Sequence, residues 1–241
     1  MLRIYYRLCR AENPEKHRPA WYSKDRCLIN FITARIEVSG GAEMTVLCDG
    51  EFPLVFDPTA YRPKKDQMIL LKDESGGPIG NAASFRHAIR LATTPGFPDG
   101  DIVYFVEDDY LHTPDALVKL AEFFEEKHSD YATLYDHPAR YNGMDVLRES
   151  GERIIHSKTH HWRTQESTCM TFAARVGTLR EDSARITRYL VGEHPQDRWM
   201  FVNLQVTNPH RRLWGPIPSL ATHCETEWLA PCVNWEAICG A

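Results

Sequence analysis

Residues 102–115 read IVYFVEDDYLHTPD, in which a run of five apolar residues is followed directly by three carboxylates. These acids are Glu107, Asp108 and Asp109, and adjacent carboxylates repel one another unless water or a cation compensates their charge. An apolar run without alternation is typical of a central parallel strand that is covered on both faces. The stretch therefore predicts an acidic turn at the carboxyl end of a buried strand.

Two interpretations of these acids are open from the residues alone. The first is a solvated turn, because aspartate favours turn backbones. The second is a divalent cation site, since oxygen-rich clusters bind hard cations and the cation offsets the repulsion between carboxylates. In an open α/β sheet, ligands bind in the crevice outside the carboxyl ends of the strands. The predicted position of the acids therefore suits a ligand site.

The first half of the chain alternates predicted strands and helices, which is typical of a doubly wound, mostly parallel α/β sheet flanked by helices. No linker, internal repeat or low-complexity segment interrupts the chain, so we expect residues 1–241 to form one domain. Strands are predicted at 3–8, 44–48, 67–71, 102–106 and 131–135, and helices at 24–36, within 76–92 and after Thr113, which is placed as the N-cap with Pro114 at the first helical position.

The second half has a less regular pattern. A strand is predicted at 168–174 and a helix at 179–190, whereas 156–167 and 207–218, rich in His, Trp and Pro, are predicted as loops. The first of these loops contains His160, His161, Trp162 and Arg163. Aromatic faces and forked donors suit sugar rings, so this cluster is a candidate for sugar binding, and a packed tryptophan with solvated neighbours is the alternative.

The composition and charge of the chain argue against several classes of function. The net charge is −5 and is spread along the chain, so no basic patch indicates nucleic acid as a partner. No apolar run approaches the ~20 residues of a membrane span, and the first residues lack a signal-peptide pattern. The seven cysteines contain no C-x-x-C pair, which predicts free thiols and a cytoplasmic location.

Two segments in sequence order resemble the GT-A-fold nucleotide-sugar glycosyltransferases, family 2-like. FVEDDYLHTPDALVKLAEFF (105–124) is similar to the segment in which N-acetylglucosaminyltransferases write the D-x-D motif as E-D-D before a Pro-Asp helix, and GGPIGNAASFRHAIRLA (76–92) is similar to the stretch about twenty residues before that motif. The resemblance covers roughly residues 1–130, with weaker patches near 165–200 and 219–235. It implies a single GT-A-type domain with a nucleotide-sugar-binding half (1–112) and an acceptor-binding half (113–241).

The resemblance also implies roles for residues of the donor site. Asp109 would bind the metal ion, and Glu107 and Asp108 would contact the ribose, the donor sugar or metal-bound water. Asp49 would accept a hydrogen bond from the uracil N3–H. Leu8, Cys9 and Arg10 would line the base and ribose, Ser84 would touch ribose or phosphate, and Arg86 would neutralise phosphate through its forked donors, a surface arginine being the alternative.

His223 matches the position from which many members of this fold supply a second metal ligand. An imidazole nitrogen suits manganese better than magnesium, which prefers oxygen ligands. The expected cofactor is therefore Mn²⁺, with Mg²⁺ as the alternative. A bound divalent cation would act as a Lewis acid toward the departing diphosphate.

The resemblance implies transfer from a UDP-sugar, UDP-glucose being favoured, to an acceptor hydroxyl. An inverting enzyme deprotonates that hydroxyl with one carboxylate, and Asp197, which is predicted near a helix start, is the candidate. Gln196 precedes it where similar enzymes have Glu, and an acid in the first turn of a helix is also stabilised by the helix dipole. Glu193, Glu181 and Asp182 are the rivals, and a retaining reaction stays open.

Two other functions are compatible with an acidic site on such a sheet. A nucleotidyltransferase would normally carry a Gly-rich loop after the first strand, and LCRAENPEKHRPAW (8–21) has no glycine. A non-catalytic domain that binds a sugar or a nucleotide is the second alternative. The acceptor, whether a glycan, a lipid-linked molecule or a protein, is left open.

Overall fold

The computed structural model describes residues 1–38, 41–50, 66–126, 130–141, 152–192 and 195–240. The helices and strands in these ranges follow the predicted alternation through the first half of the chain. They are β1 (Leu2–Cys9), α1 (Lys24–Ile36), β2 (Ala42–Asp49), β3 (Gln67–Leu71), α2 (Asn81–Ala92), β4 (Ile102–Glu107), β5 (Tyr110–His112), α3 (Ala116–Glu125), β6 (Tyr131–Ala132), β7 (Ile154–His156), β8 (His161–Gln165), β9 (Ala173–Arg175), α4 (Val176–Ile186), α5 (Asp197–Thr207), β10 (Leu213–Ile217), β11 (Ala221–His223) and α6 (Trp235–Gly240).

In the described ranges, nine strands form one sheet in the order β3-β2-β1-β4-β9-β6-β10-β8-β7. Strands β1 to β4 and the β6–β10 pair are parallel, whereas β9 runs antiparallel to both β4 and β6, and β8 to both β10 and β7. Seven of the nine strands therefore run in one direction. The predicted mostly parallel α/β fold is confirmed.

Helices cover both faces of β4, as its unbroken apolar sequence predicts. Tyr104 belongs to a core that includes Phe31 of α1, and their ring centroids are 6.3 Å apart. Phe105 points to the other face, where its ring lies 4.9 Å from that of Phe85 in α2. Because successive strand side chains alternate between faces, one strand serves both cores.

Helix α1 has the bounds predicted from its apolar spacing. Ser23 caps it by accepting a hydrogen bond from the backbone N–H of Arg26, at 3.2 Å. At 13 residues it is the longest helix of the described ranges, far below the ~20 residues that cross a bilayer, and none of these helices is a candidate membrane span.

Helix α3 begins later than predicted. Thr113 and Pro114 do not form its N-cap and first position, since the helix starts at Ala116 with Asp115 as the N-cap. The backbone N–H of Thr113 instead bonds to the carbonyl of Leu220, at 2.9 Å. Thr113 thus extends the hydrogen bonding between β5 and the segment around β11, and the helix begins only after this contact.

The two loops predicted in the second half contain strands instead. Residues 156–167 include β8, and 207–218 include β10, an internal strand despite Gly215 and Pro216. Proline is normally confined to edge strands because it cannot donate to the ladder. Here β6 pairs with β10 only at Leu213 and Trp214, so Pro216 lies beyond the stretch that needs a donor on that side.

Strands were predicted too long at two places in the second half. Of residues 131–135 only Tyr131–Ala132 form a strand, and of 168–174 only the last two lie in β9. Cys169 and Met170 have φ angles of 48° and 60°, which end an extended conformation.

Helix α4 starts three residues earlier than predicted, and the last turn of the predicted helix is a 3₁₀ helix, Thr187–Tyr189.

Trp162 lies in the core, and of the cluster proposed to bind a sugar, His160 and Arg163 are also buried whereas His161 is exposed. The Trp162 ring is fully buried 4.4 Å from that of Phe123, and its Nε1 donates to Ser157 Oγ. Arg163 is also buried and forms an ion pair with Asp136, at 2.5 Å. Packing and a buried ion pair, not sugar binding, account for these two side chains.

We predict that Trp162→Ala lowers the free energy of unfolding by about 3–5 kcal/mol, because it removes a buried ring and leaves a cavity. Trp199→Ala is the matched control, since Trp199 is 63% exposed and its loss should change stability by no more than about 0.5 kcal/mol. Urea denaturation followed by circular dichroism measures both. Equal effects of the two substitutions would contradict the core position of Trp162.

Candidate active site

The carboxyl ends of β1, β2 and β4 border a cavity of about 310 Å³. More of its lining comes from the β1–α1 loop (Ala11, Glu12, Asn13, Lys16 and Arg18) and from the start of α2 (Pro78, Gly80, Asn81 and Ser84). Ligands of open α/β sheets bind at this edge, and the volume is near the lower end of that of ligand pockets. The acids that follow β4 therefore face a cavity of ligand size.

Most of the donor-site residues proposed from the sequence come together here. His223 also lies at the site, because its side chain contacts that of Asp109. The proposed residues that line the cavity are Leu8, Cys9, Asp49, Ser84, Glu107, Asp108 and Asp109.

Arg86 and Arg10 are not part of the cavity lining. Arg86 donates through Nη1 to the carbonyl of Leu190, at 2.6 Å. Residues two apart in an α-helix point about 200° apart, so when Ser84 faces the cavity Arg86 cannot. Arg10 is exposed at the end of β1. The structure thus does not place Arg86 where it could neutralise a phosphate in this cavity.

Glu107 is held by Arg7, a residue that the sequence analysis missed. Arg7 Nη1 lies 3.2 Å from Glu107 Oε1, and its other donors reach Ser84 Oγ and the side chain and carbonyl of Asn81. Burial raises the pKa of Glu107 to about 7, against the opposing charge of Arg7. The second of the two arginines in the otherwise apolar strand RIYYRL was the signal that could have revealed this partner.

Asp108 is fixed to the neighbouring strand β1 and to α1. Its Oδ2 accepts a hydrogen bond from the Cys9 N–H at 2.7 Å and lies 3.0 Å from Lys24 Nζ. Burial raises the pKa of Asp108 to about 6, while the nearby Lys24 ammonium lowers it. Lys24 also donates to the carbonyl of Ala11 at 2.8 Å, so this pair ties the β1–α1 loop to the acidic turn.

Asp109 has the most cationic surroundings of the three acids. Its Oδ2 lies 2.9 Å from Arg18 Nη2, 2.9 Å from His223 Nε2 and 3.2 Å from Lys16 Nζ. Burial opposes ionisation, but His223, Lys16 and Arg18 together hold the pKa of Asp109 well below its usual range. The carboxylate is thus charged, and a solvated turn does not describe this acid.

His223 reaches Asp109 because β5 and β11 form a separate two-stranded sheet. Tyr110 pairs with His223 in that antiparallel ladder, and the backbone N–H of Cys224 bonds to the carbonyl of Asp109, at 2.8 Å. The resemblance implied that Asp109 and His223 lie close together, and their closeness results from the backbone pairing of β5 with β11.

Asp49 organises the turn that begins α2. Its two carboxylate oxygens accept hydrogen bonds from the backbone N–H groups of Ile79, at 2.6 Å, and Gly80, at 3.0 Å. Gly80 has a φ of 85°, a conformation that favours glycine. Asp49 thus fixes the turn that presents Ser84 to the cavity, and its contact with a uracil ring stays a prediction.

Asp197 is the first residue of α5 and anchors the loop before β9. Its Oδ2 accepts hydrogen bonds from Ser167 Oγ (2.6 Å), the Thr168 N–H (2.8 Å) and the Cys169 N–H (2.9 Å). Strand β9 runs antiparallel to β4, and the Phe105 N–H donates to the carbonyl of Phe172 just before β9, so this loop lies at the carboxyl end of β4. Asp197 therefore lies on the same side of the sheet as the acidic turn, and its role as a base stays a prediction.

The rivals of Asp197 are placed less favourably. Asp182 accepts a hydrogen bond from Tyr131 and pairs with Arg211, which also contacts Glu181. Tyr131 opens β6 and Arg211 precedes β10, so these acids lie at the amino ends of parallel strands, opposite the edge that carries the cavity. The third rival, Glu193, lies outside the described residues.

The donor atoms of Asp109 and His223 fit a divalent cation. Adjacent ligands of an octahedral ion with bonds of about 2.1 Å lie roughly 3 Å apart, and Asp109 Oδ2 and His223 Nε2 are 2.9 Å apart. One carboxylate oxygen and one imidazole nitrogen also suit Mn²⁺. In the described part of the chain no group of three or more His, Cys, Asp or Glu side chains is arranged for a metal, so this pair would need water or substrate oxygens as further ligands.

Comparison with known proteins identifies structural neighbours. No protein-family model matches the chain, and no curated protein does. A crystal structure of S. aureus TarS matches with a TM-score of 0.51 and 16% sequence identity, over 89% of this chain and 36% of that one. The chain shares the fold of the part of TarS that it matches.

Two further TarS structures contain nucleotides. The complex of TarS 1-349 with UDP matches at a TM-score of 0.51 and 14% identity, over 89% of this chain and 59% of that one. The complex with UDP-GlcNAc matches at 0.50 and 13%, over 89% and 57%. The chain thus spans between 36% and 59% of these TarS chains.

We predict that Arg7→Met lowers the free energy of unfolding by about 3–5 kcal/mol, because it leaves the largely buried Glu107 carboxylate without its cation. The exposed Arg10, three residues along, provides the control, and Arg10→Met should change stability by at most about 0.5 kcal/mol. Urea denaturation at pH 8 makes the comparison. A stability of Arg7→Met equal to that of the wild type would show that Arg7 is dispensable to the acidic turn.

Proposed function

We propose that this protein is a glycosyltransferase that moves a sugar from a UDP-sugar to an acceptor hydroxyl. The observation that carries the proposal is the row of three acids at the carboxyl end of β4, facing a cavity that Asp49 and Ser84 also line. The fold is that of the matched part of TarS, a protein solved in complex with UDP and with UDP-GlcNAc. We take UDP-glucose as the first donor to test and UDP-GlcNAc as the second.

The nucleotide is proposed to enter the cavity along the carboxyl ends of β1 and β2. In this arrangement the uracil lies against Asp49 and the backbone of Leu8 and Cys9, and the ribose contacts Asp108. Arg7 holds Glu107 and Ser84 in fixed positions through its buried hydrogen bonds, and Ser84 is directed at the ribose or a phosphate. These residues would bind and orient the donor.

Asp109 and His223 are the residues proposed to hold Mn²⁺, or Mg²⁺ as the alternative. When bound, such a cation stabilises negative charge on the departing diphosphate. Asp197 is proposed to remove the proton from the acceptor hydroxyl, which makes the reaction inverting. Its oxygen Oδ2 is fixed by three donors, so the carboxylate is held in one orientation near the acidic turn.

We predict that UDP and UDP-sugars raise the melting temperature by roughly 5–10 °C at a hundred times their dissociation constant, since such a ligand adds about 2.7 kcal/mol. Melts with UDP, UDP-glucose, UDP-GlcNAc, GDP, ADP, CTP and UTP, with Mn²⁺ or with EDTA, test this.

Equal shifts by GDP or ADP would contradict the uridine assignment. Larger shifts by CTP or UTP than by UDP would favour nucleotidyl transfer. Binding of UDP-sugars with no release of UDP, with water or any acceptor tried, would favour a non-catalytic domain.

We predict that Asp197→Asn lowers sugar transfer, or donor hydrolysis if no acceptor is known, by ~10²–10⁴-fold, because the amide cannot accept the proton. UDP affinity should stay within about threefold, since Asn retains an oxygen that accepts hydrogen bonds from the loop at 167–169. Enzymatic release of UDP and calorimetric titration measure the two quantities.

Ser167→Ala is the matched control for this experiment. It removes one donor to the same carboxylate oxygen, which lies 2.6 Å from Ser167 Oγ, but leaves the carboxylate itself. Because the Thr168 and Cys169 N–H groups still hold the carboxylate in place, we expect its rate to be near that of the wild type. Equal rate losses in Ser167→Ala and Asp197→Asn would show that Asp197 acts only by anchoring the loop, and a retained product anomer would exclude it as an inverting base.

A further inference from the structure

Lys16 reaches both residues that are proposed as metal ligands. Its Nζ lies 3.2 Å from Asp109 Oδ2 and 3.3 Å from His223 Nε2. Glu225 Oε2 is 3.8 Å from the same ammonium. The positive charge of Lys16 is thus next to the two atoms that a divalent cation would contact.

Arg18 also contacts Asp109, but it is held more firmly than Lys16. Its Nη1 donates to the carbonyl of Cys224 at 2.7 Å, and its guanidinium lies 4.5 Å from the centre of the Tyr22 ring. The side chain of Arg18 is 15% exposed, whereas that of Lys16 is 31% exposed. Of the two cations, Lys16 is the one that can leave Asp109 with less disturbance of the surrounding contacts.

A divalent cation and the Lys16 ammonium cannot share this position. Like charges at such short distances repel strongly, and the burial of Asp109 and His223 weakens the screening by solvent. Lys16 lines the same cavity in which a diphosphate is proposed to bind. A lysine ammonium is a compact charge on a flexible stem and is a common phosphate ligand. A displaced Lys16 therefore has a second anionic partner within the cavity.

We propose that Lys16 is an internal counter-ion of the Asp109–His223 pair, that a divalent cation displaces it, and that the displaced ammonium binds the diphosphate of the donor. This inference rests on the proposed function. It makes cation and diphosphate binding mutually favourable, because the cation releases Lys16 to bind the diphosphate and the diphosphate draws Lys16 away from Asp109. Such coupling is reciprocal and typically amounts to about 5- to 150-fold in affinity.

The test uses Mn²⁺ itself as the probe, and the free ion is counted by electron paramagnetic resonance with the full chain. Lys16→Met removes the competing charge, so its Mn²⁺ affinity without nucleotide should rise by about tenfold over wild type. Saturating UDP should raise the Mn²⁺ affinity of both proteins, because substrate oxygens complete the ligands of the ion, but by a clearly smaller factor in Lys16→Met than in wild type. UDP affinity of the variant, measured with EDTA, should fall.

Lys158→Met is the control matched in charge, since Lys158 is exposed in the β7–β8 turn, and it should behave as the wild type. Asp109→Asn combined with Lys16→Met should lose the gain in Mn²⁺ affinity. Lys16→Gln, which also lacks the charge, replaces Lys16→Met if the latter does not fold.

An unchanged or weaker Mn²⁺ affinity of the Lys16 variant without nucleotide would overturn the proposal, as would the absence of Mn²⁺ binding in every variant. These results concern Mn²⁺ binding alone. The proposed function is tested separately by the thermal melts with nucleotides. A variant that gains Mn²⁺ affinity while no uridine nucleotide binds would support the counter-ion role and contradict the UDP-sugar donor.

Discussion

Three neighbouring carboxylates at the end of a buried strand require positive charge close to them, and the surroundings of the cavity meet that requirement. Glu107 has Arg7, Asp108 has Lys24, and Asp109 has Lys16 and Arg18. The lysines and arginines all come from β1, α1 and the loop between them. Because a buried charge without a partner is strongly unfavourable, the acids fix the path of this loop over the carboxyl edge of the sheet.

This constraint links the two cores of the molecule to the site. Strand β4 packs against α1 through Tyr104 and against α2 through Phe105, so both helices have fixed positions relative to the acidic turn. Helix α1 thereby places Lys24, and α2 places Ser84. The positions of the site residues follow from core packing that has no direct part in ligand binding.

The sequence predicted well those features whose causes are local. The apolar run before Glu107 and the spacing within α1 each depend on nearby residues, and both were found where expected. Strand β10 was missed because it contains Gly215 and Pro216. They are tolerated there because β6 is short and pairs with β10 only before these two residues, which depends on the tertiary structure and not on the local sequence. Arg7 was missed because its partner is a hundred residues away, and the contact of Asp109 with His223 was expected only from resemblance to a family.

The order of residues along the chain has a consequence for synthesis. Arg7, Lys16, Arg18 and Lys24 all precede the acids, so the ribosome has already added them when the acidic turn emerges. His223 follows Asp109 by 114 residues, a delay of roughly 6–23 s at bacterial or eukaryotic elongation rates. Throughout that interval the nascent chain already contains the basic residues needed to neutralise its most acidic segment, before β11 exists to complete the site.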